Sequence, residues 1–194
     1  MRYAGGSDPY CYPDTTVLKN RANIRDSEAL SEFETVMVRD RTETGLPDGK
    51  LDKAHYYALH RHFFQDVYDW AGKPRTIRTG KGGHWFCYPA FIEGQLDRLF
   101  ADLKAKRHLD GLDLDAFARE AAHFLGEVNA IHPFREGNGR TQLAFLRLLC
   151  LNAGFGFDAS VLDRDRVIGA MIASFDSKPQ ALTELIRDIA SPQN

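Results

Sequence analysis

Residues Ile131 to Leu143 read Ile-His-Pro-Phe-Arg-Glu-Gly-Asn-Gly-Arg-Thr-Gln-Leu, and the interpretation of the whole chain starts from this stretch. It brings an imidazole, a carboxylate, a Gly-Asn-Gly turn and an arginine together within nine residues. Apolar residues at helical spacing precede the stretch and a strongly apolar segment follows it, so we predict a helix on each side. A loop between two helices that carries this set of groups indicates a chemical site.

Two residues of the loop suit proton transfer and metal binding. His132 ends the first apolar segment, and because Pro133 disfavours further helix we expect the imidazole at a rigid position. An imidazole with an ordinary pKa can accept a proton from a hydroxyl group near neutral pH. Glu136 offers a carboxylate oxygen of the kind that binds Mg²⁺ together with substrate phosphates.

The Gly-Asn-Gly turn is predicted to bind an anion. Gly137 and Gly139 allow positive φ and close approach of the backbone, and the first amides of the following helix lack partners within it. Asn138 can donate through its side-chain amide, and Arg140 can form paired hydrogen bonds with a phosphate. Each feature alone is more often a plain turn or a helix cap. Their combination favours a phosphate-binding loop with a base beside it.

The run His-Pro-Phe-Arg-Glu-Gly-Asn-Gly-Arg at 132–140 resembles the signature of the Fic family, whose usual members transfer AMP from ATP to a protein hydroxyl. The resemblance implies an all-α fold, a Fic-type helical bundle with one β-hairpin flap. It implies ATP as substrate, His132 as the general base and Glu136 as the Mg²⁺ ligand. It also implies that the loop binds the nucleotide, with Phe134 anchoring it in the core; the residues concerned are Phe134, Gly137, Asn138, Gly139 and Arg140.

A second segment, 59–72, is similar to one that Fic domains carry upstream of the active site.

Leu143 departs from the family pattern. AMP-transferring members commonly carry a second arginine where this chain has Leu143. A related toxin branch that phosphorylates its target also lacks this arginine. That branch carries a turn similar to Ala-Asn-Lys, whereas this chain keeps Gly-Asn-Gly. Three alternatives to AMP transfer therefore stay open: a kinase-like protein phosphotransferase, a transferase with another nucleotide donor, and a nucleotide-binding interaction module without turnover.

Residues 75–88 break the helical pattern and predict a β-hairpin, with strands at 76–79 and 84–88 around a glycine-rich tip. The tip lacks the Gly-Lys-Ser/Thr ending of a P-loop. In Fic proteins such a hairpin is a flap that pairs with an extended segment of the target. We therefore predict target docking here, with a plain surface turn as the alternative; the docking residues are Thr79, Gly80, Lys81, Gly82 and Gly83.

The rest of the chain predicts a single domain, residues 1–194, made of helices behind an N-terminal arm at about 1–15. The expected helices are 17–24, 27–39 after Asp26, a segment capped by Asp52 and closed by Gly72, a segment from Pro89, the segment from Asp113 to His132, 140–153, 162–175 and 179–189. In the helix from Pro89, Phe91 is expected to face the core with Leu96 and Leu99. His60 and His62 have no cysteine or carboxylate at ligand spacing, so we interpret them as packed or solvated histidines.

The composition of the chain bears on its partners and on its cellular compartment. The 194 residues have a formal net charge of −2, which gives no electrostatic reason to expect nucleic acid or a membrane as the main partner. Three cysteines without disulfide or zinc spacing indicate a reducing cytosol. No apolar run reaches the length of a membrane span or resembles a signal peptide, and we predict a cytoplasmic protein.

The resemblance also implies partners. One is a target protein with an exposed Tyr, Thr or Ser hydroxyl, and similar short toxins act on bacterial type II topoisomerases. The inhibitory helix of many Fic proteins follows the pattern Ser/Thr-x-x-x-Glu-Gly/Asn, which does not occur in this chain. Its absence implies either a separate small antitoxin that carries the helix, or no need for an inhibitor because of Leu143.

Overall fold

The computed structural model describes residues 2–3, 8–81 and 83–192, which hold seven α-helices and five short β-strands. The helices are α1 (Ser27–Glu43), α2 (Lys53–Phe64), α3 (Pro89–Ala105), α4 (Leu114–Ile131), α5 (Asn138–Asn152), α6 (Arg164–Phe175) and α7 (Gln180–Ile189). The strands are β1 (Arg2–Tyr3), β2 (Thr79–Lys81), β3 (His84–Trp85), β4 (Phe155–Phe157) and β5 (Ala190–Pro192). The predicted helical fold with a hairpin flap is confirmed.

Contacts group the chain into two units, residues 1–93 with 132–141 and residues 94–131 with 142–194. In the first unit, α1 packs on α2. Asp26 accepts hydrogen bonds from the backbone of Glu28 and Ala29, and Asp52 accepts one from the backbone of His55, so both expected caps are present. In the second unit, α4, α6 and α7 pack together, and β4 pairs with β5 in an antiparallel sheet that the sequence did not predict.

The prediction of a helix at 17–24 is wrong. This part of the chain is extended and turned, with a bridge between Cys11 and Leu18 and a hydrogen bond from the Tyr12 amide to the Val17 carbonyl. The side chain of Asn20 bonds to the backbone of Leu18 and Ile24. Because this side chain takes over backbone groups that a helix would pair, it stabilises the turn instead.

The flap is a hairpin of β2 and β3, with Gly80 opposite Trp85 and Lys81 opposite His84. Its first strand begins at Thr79, the last residue of the predicted 76–79, because the Ile77 carbonyl accepts from Nη1 of Arg75 and not from a neighbouring strand. The second strand, predicted at 84–88, ends at Trp85. The N-terminal strand β1 pairs with β2 and places Arg2 opposite Gly80, which gives the sheet order β1-β2-β3. The predicted docking residue Gly82 lies outside the described residues.

Helix α3 begins at Pro89 as predicted, but the inward position of Phe91 is wrong. The Phe91 side chain is 60% exposed, whereas Ile92 is fully buried. The buried stripe of α3 consists of Ile92, Leu96 and Leu99. These residues are spaced by four and then three positions, which places them on one face of a helix. Phe91 lies one residue outside that stripe.

Among the described residues, none of the helices combines the length and the apolar character that crossing a bilayer would require.

A buried ion pair links the N-terminal arm to the loop at 132–140. Oδ2 of Asp8 accepts hydrogen bonds from Nε of Arg135 at 2.9 Å and from Nη2 at 2.6 Å. The side chains are 0% and 7% exposed. Since removing one partner of a buried pair is costly, this contact fixes the arm against the loop.

Asp8→Ala is expected to lower the free energy of unfolding by about 3–5 kcal/mol, because it removes a counter-ion from a buried guanidinium. Urea denaturation at neutral pH measures the change. Asp69→Ala is the matched control: Asp69 pairs with Arg21 at the surface, where the side chains are 84% and 55% exposed, and its loss should cost at most about 1 kcal/mol. Equal losses in the two variants would contradict the expectation.

Candidate active site

His132 follows the last residue of α4 and is held in an unusual backbone conformation. Its φ is +48°, in the left-handed region that non-glycine residues seldom occupy and that surrounding contacts must maintain. The imidazole stacks on the Phe86 ring, with 3.8 Å between the ring centroids and 3° between the planes. Phe86 directly follows β3, and its amide donates to the Thr79 carbonyl. The flap therefore fixes the plane of the imidazole.

Arg75 joins the loop to both ends of the flap. Its side chain is buried, and Nε donates to the His132 carbonyl at 2.8 Å. Nη1 donates to the carbonyl of Ile77 and Nη2 to that of Cys87, both at 2.6 Å. Burial lowers the pKa of the guanidinium to about 10, so it stays charged at neutral pH and makes charge-assisted hydrogen bonds.

His60 packs against the buried side of the loop at 132–140. It is fully buried, and its ring stacks on Phe134 at 3.7 Å between centroids. Nδ1 accepts a hydrogen bond from the Gly72 amide at 2.8 Å, so Nε2 carries the proton that is donated to the Glu136 carbonyl at 2.9 Å. Burial lowers the pKa of His60 to about 3. His60 is thus a neutral, packed histidine, which is one of the two alternatives that its spacing predicted.

Phe134 and Asn138 close the loop on itself. Phe134 is fully buried. Oδ1 of Asn138 accepts from the Phe134 amide at 3.0 Å, and Nδ2 donates to the Phe134 carbonyl at 2.8 Å. The Asn138 side chain is buried as well. In this structure Asn138 shapes the turn, and the direct contact with an anion that we expected of it stays a prediction.

The two glycines of the turn have different surroundings. Gly137 has φ +81°, and a Cβ atom there would come within 2.3 Å of the Phe64 ring. Only glycine fits that position without displacing the ring. Gly139 lies exposed in the first turn of α5, and a Cβ atom there would meet nothing within 4 Å. Open space therefore adjoins the first amides of a helix of 15 residues, which suits the approach of an anion.

Arg140 is the cation of this turn, and a carboxylate that the sequence did not single out orients it. Its Nη2 donates to Oε1 of Glu34 at 2.6 Å, and the guanidinium carbon lies 4.6 Å from the centre of the Phe64 ring. Oε2 of Glu34 accepts from the Tyr68 hydroxyl at 2.6 Å. Burial, followed by the charge of Glu34, raises the pKa of Tyr68. Tyr68 therefore stays a hydrogen-bond donor.

Glu136 is the acidic residue of the loop and is partly exposed. Its Oε1 accepts from the Gly137 amide at 3.1 Å. No group of three or more His, Cys, Asp or Glu side chains among the described residues could hold a metal ion. A single carboxylate beside an open helix N-terminus fits Mg²⁺, because this ion is commonly held by one or two carboxylates and substrate phosphates.

The predicted docking residues that the structure describes, Thr79, Gly80, Lys81 and Gly83, lie in the flap, and Phe86 connects the flap to the loop at 132–140. Thr79 and Gly80 are buried, whereas Lys81 and Gly83 are exposed. Sequence reasoning missed the positioning residues Arg75 and Phe86. Arg75 lies 57 residues from His132, and neither periodicity nor local spacing reports a contact at that separation. The only sequence signal near Arg75 is Pro74, and a proline there indicates the end of a helix but not a contact with His132.

Comparison with known proteins finds closely similar chains. The model of the Fic/DOC family matches residues 50–150. The chain is 56% identical over 188 residues to the probable protein adenylyltransferase y4lH of Sinorhizobium fredii, covering 96% of this chain and 98% of that relative. It is 36% identical over 189 residues to the protein adenylyltransferase VbhT of Bartonella schoenbuchensis, covering 96% of this chain and 40% of that longer protein.

Two solved structures are also similar. The BepC protein of Bartonella tribocorum, with bound AMPPNP, has a TM-score of 0.88 and 29% identity, covering 95% of this chain and 97% of that one. The N-terminal Fic domain of a VirB-translocated Bep effector protein of Bartonella quintana, with bound ADP, has a TM-score of 0.87 and 30% identity. It covers 95% of each chain.

Arg75→Lys is expected to loosen the flap, because the three carbonyl groups are reached from three different nitrogens of the guanidinium, whereas all the N–H groups of an ammonium lie on a single nitrogen. A charged hydrogen bond is worth about 1.5–3 kcal/mol, so amide hydrogen exchange at Arg75 and Phe86 should become at least about tenfold faster. Exchange followed by mass spectrometry measures this. Arg21→Lys, at an exposed arginine paired with Asp69, should leave those amides unchanged, and unchanged exchange in Arg75→Lys would contradict the assigned role.

His60 is expected to make stability depend on pH. Its folded pKa of about 3 lies below the ordinary value of 6.5, so between these values the unfolded chain binds a proton that the folded chain does not. The free energy of unfolding therefore falls as the pH is lowered through this window, and the contribution of His60 is complete at higher pH. Urea denaturation at about pH 7 and about pH 5 measures the fall.

The variant His60→Gln should show a smaller fall between the two pH values than the wild type. His123→Gln, at an exposed histidine on α4, should show the same fall as the wild type. Identical pH dependence in wild type and His60→Gln would be inconsistent with a neutral, buried imidazole.

Proposed function

The chain belongs to the Fic/DOC family and is a protein adenylyltransferase, and we propose that it moves AMP from ATP to a Tyr, Thr or Ser hydroxyl of a target protein. One observation carries the proposal. The imidazole of His132, held by Phe86 and by the Arg75 contact to its own carbonyl, lies in the same nine-residue loop as a glycine turn that opens α5. Such a loop brings a base next to a phosphate site.

His132 acts as the general base on the target hydroxyl. The Nδ1 atom is shielded from solvent, so Nε2 is the ring nitrogen that takes the proton. The hydroxyl oxygen forms a bond to the α-phosphorus, and the bond between this phosphorus and the bridging oxygen to the β-phosphate breaks. Pyrophosphate leaves with the electron pair. Fixing the imidazole plane contributes through positioning, the main source of acceleration in this type of transfer.

The phosphates are bound by the turn at 137–140. The first amides of α5 donate to the phosphate oxygens, and the bare Gly139 position leaves room for them. Arg140 uses one N–H group on Glu34, and a guanidinium has five, so others can donate to a phosphate. Phe134 and Asn138 keep the turn in shape from within the core. Charge stabilisation at fixed donors of this kind acts without reorganisation.

Glu136 is the residue that would hold Mg²⁺. Oε1 is oriented by the Gly137 amide, and the carboxylate provides an oxygen ligand next to the bound phosphates. When bound there, the ion would supply charge neutralisation for the leaving pyrophosphate.

The proposed partners follow from the same activity. The target docks on the flap, for which Thr79, Gly80, Lys81, Gly82 and Gly83 were the predicted docking residues. Of these, Lys81 and Gly83 are exposed, whereas β1 occupies the outer edge of β2 at Thr79 and Gly80. A bacterial type II topoisomerase subunit is the candidate that the resemblance suggests. A small antitoxin that carries the inhibitory helix is the proposed regulator. The three cysteines are free thiols, which supports a reducing compartment and the proposed cytoplasmic location.

A second candidate function is transfer of a different phosphate-linked group. Leu143 favours it, because this partly exposed leucine gives α5 no second cation three residues after Arg140. With less positive charge at the terminal phosphate, a nucleotide could bind in the opposite orientation. The label experiment below separates the two functions.

Radiolabel from α-labelled ATP is expected to transfer to protein in a bacterial lysate, whereas label from γ-labelled ATP is not. His132→Ala should lower transfer by about a hundredfold to ten-thousandfold, the contribution of a general base. The mutant should still bind ATP, as isothermal titration calorimetry would measure, since the phosphate-binding turn is intact. Chelation of divalent cations should abolish transfer by the wild type.

Transfer from the γ position only would replace the proposal with a kinase activity. Binding of ATP without transfer from either position, unaffected by His132→Ala, would identify a nucleotide-binding module. Transfer from the α position that survives in His132→Ala would refute the role of the imidazole and leave the transferase reaction in place.

A further inference from the structure

Large apolar side chains are concentrated on the surface that follows the flap. Seven such side chains are exposed among the described residues, and three of them fall between residues 85 and 91: Trp85 at 41%, Tyr88 at 51% and Phe91 at 60%. The other four are spread over α1, α5 and α6. Single exposed apolar residues are common on soluble proteins, whereas grouped ones mark interaction sites.

The three side chains form one connected surface, in which Arg78 links Trp85 to Tyr88 and Tyr88 contacts Phe91. The guanidinium carbon of Arg78 lies 4.9 Å from the centre of the Trp85 ring and 3.8 Å from the centre of the Tyr88 ring. Nη1 of Arg78 donates to the Tyr88 hydroxyl at 2.6 Å. The rings of Tyr88 and Phe91 meet edge to face, with centroids 6.3 Å apart. We call Trp85, Tyr88, Phe91 and Arg78 together the aromatic surface.

The composition and order of the aromatic surface suit protein recognition. Aromatic and arginine side chains dominate the residues that contribute most to binding at protein interfaces. The contacts of Arg78 with both rings hold these side chains in place before any partner binds. A partner therefore loses little side-chain entropy of this protein when it docks, and preorganisation of this kind strengthens binding.

The position of the aromatic surface connects it to the proposed reaction. Trp85 belongs to β3, which is an edge strand in the order β1-β2-β3. The next residue, Phe86, stacks on the His132 imidazole. A polypeptide segment that adds to β3 would lie against the aromatic surface and next to the base at the same time. The opposite side of β2 is already occupied by β1.

We propose that the aromatic surface recognises the target protein, and that it binds an apolar side chain of an extended target segment whose hydroxyl reaches His132. Strand addition supplies sequence-independent backbone hydrogen bonds, and specificity comes from the side chains beside the added strand. Trp85 and Phe91 thus decide which proteins are modified. This inference rests on the proposed AMP transfer.

The test compares wild type, Trp85→Ala, Phe91→Ala and the double variant in label transfer from α-labelled ATP to the main labelled protein of a bacterial lysate. The lysate protein concentration that gives half-maximal rate should rise about tenfold in each single variant and further in the double variant. The affinity for ATP, measured by calorimetry, should change less than about twofold. Ile172→Ala is the control, since Ile172 is an apolar side chain on α6 with 52% exposure.

The outcomes separate this inference from the reaction it rests on. Transfer by wild type and double variant with the same half-maximal concentration would overturn the role of the aromatic surface alone. A fall in ATP affinity would overturn it as well and assign these rings to the nucleotide. Loss of a wild-type dimer in the double variant, seen by sedimentation, would assign them to self-association. No transfer by the wild type would overturn the proposed function, and this inference with it.

Discussion

The guanidinium of Arg75 is the contact on which the first unit of this protein depends most. It donates to three backbone carbonyl groups, one in the loop at 132–140 and one at each end of the flap. A planar group whose donors are spread over three nitrogens can reach three separated acceptors in this way, whereas a lysine has all its donors on one nitrogen. Because the charge is buried, its loss would leave three carbonyl groups poorly satisfied. The Arg75 side chain therefore joins the flap to the loop, in addition to the stacking of Phe86 on His132.

The loop itself is shaped by buried polar groups, one of which, Asn138, is also a predicted nucleotide contact. Asn138 bonds back to Phe134, His60 holds the Glu136 carbonyl, and Arg135 is fixed on Asp8. Each is a buried polar side chain that would be unfavourable without its partner. The partly or fully exposed residues at this turn are His132, Glu136, Gly139 and Arg140, and these are the residues that the proposed reaction uses.

The local pattern of the sequence predicted seven of the eight expected helices, although α2 ends at Phe64 and does not continue to Gly72. Asp26, Asp52 and Pro89 mark helix starts because capping and proline geometry act within a few residues. The errors occur where distant groups compete with local preference. Residues 76–78 are not in a strand because Arg75 takes the Ile77 carbonyl, and residues 17–24 are not a helix because Asn20 bonds to their backbone. Asp8 and Arg135 are 127 residues apart, a separation that periodicity cannot bridge.

Phe91 shows how such an error can indicate function. Hydrophobicity alone places this side chain in the core, but the buried stripe of α3 runs through Ile92 and leaves Phe91 in solvent. Its position next to Tyr88, and through Arg78 next to Trp85, joins it to the flap that Arg75 ties to His132. In the proposed reaction, the contacts of Phe86 and Arg75 with His132 would connect the position of a segment bound at this surface to the reacting atoms. Since acceleration in such a transfer comes mainly from positioning, residues that select the target would also help to align it.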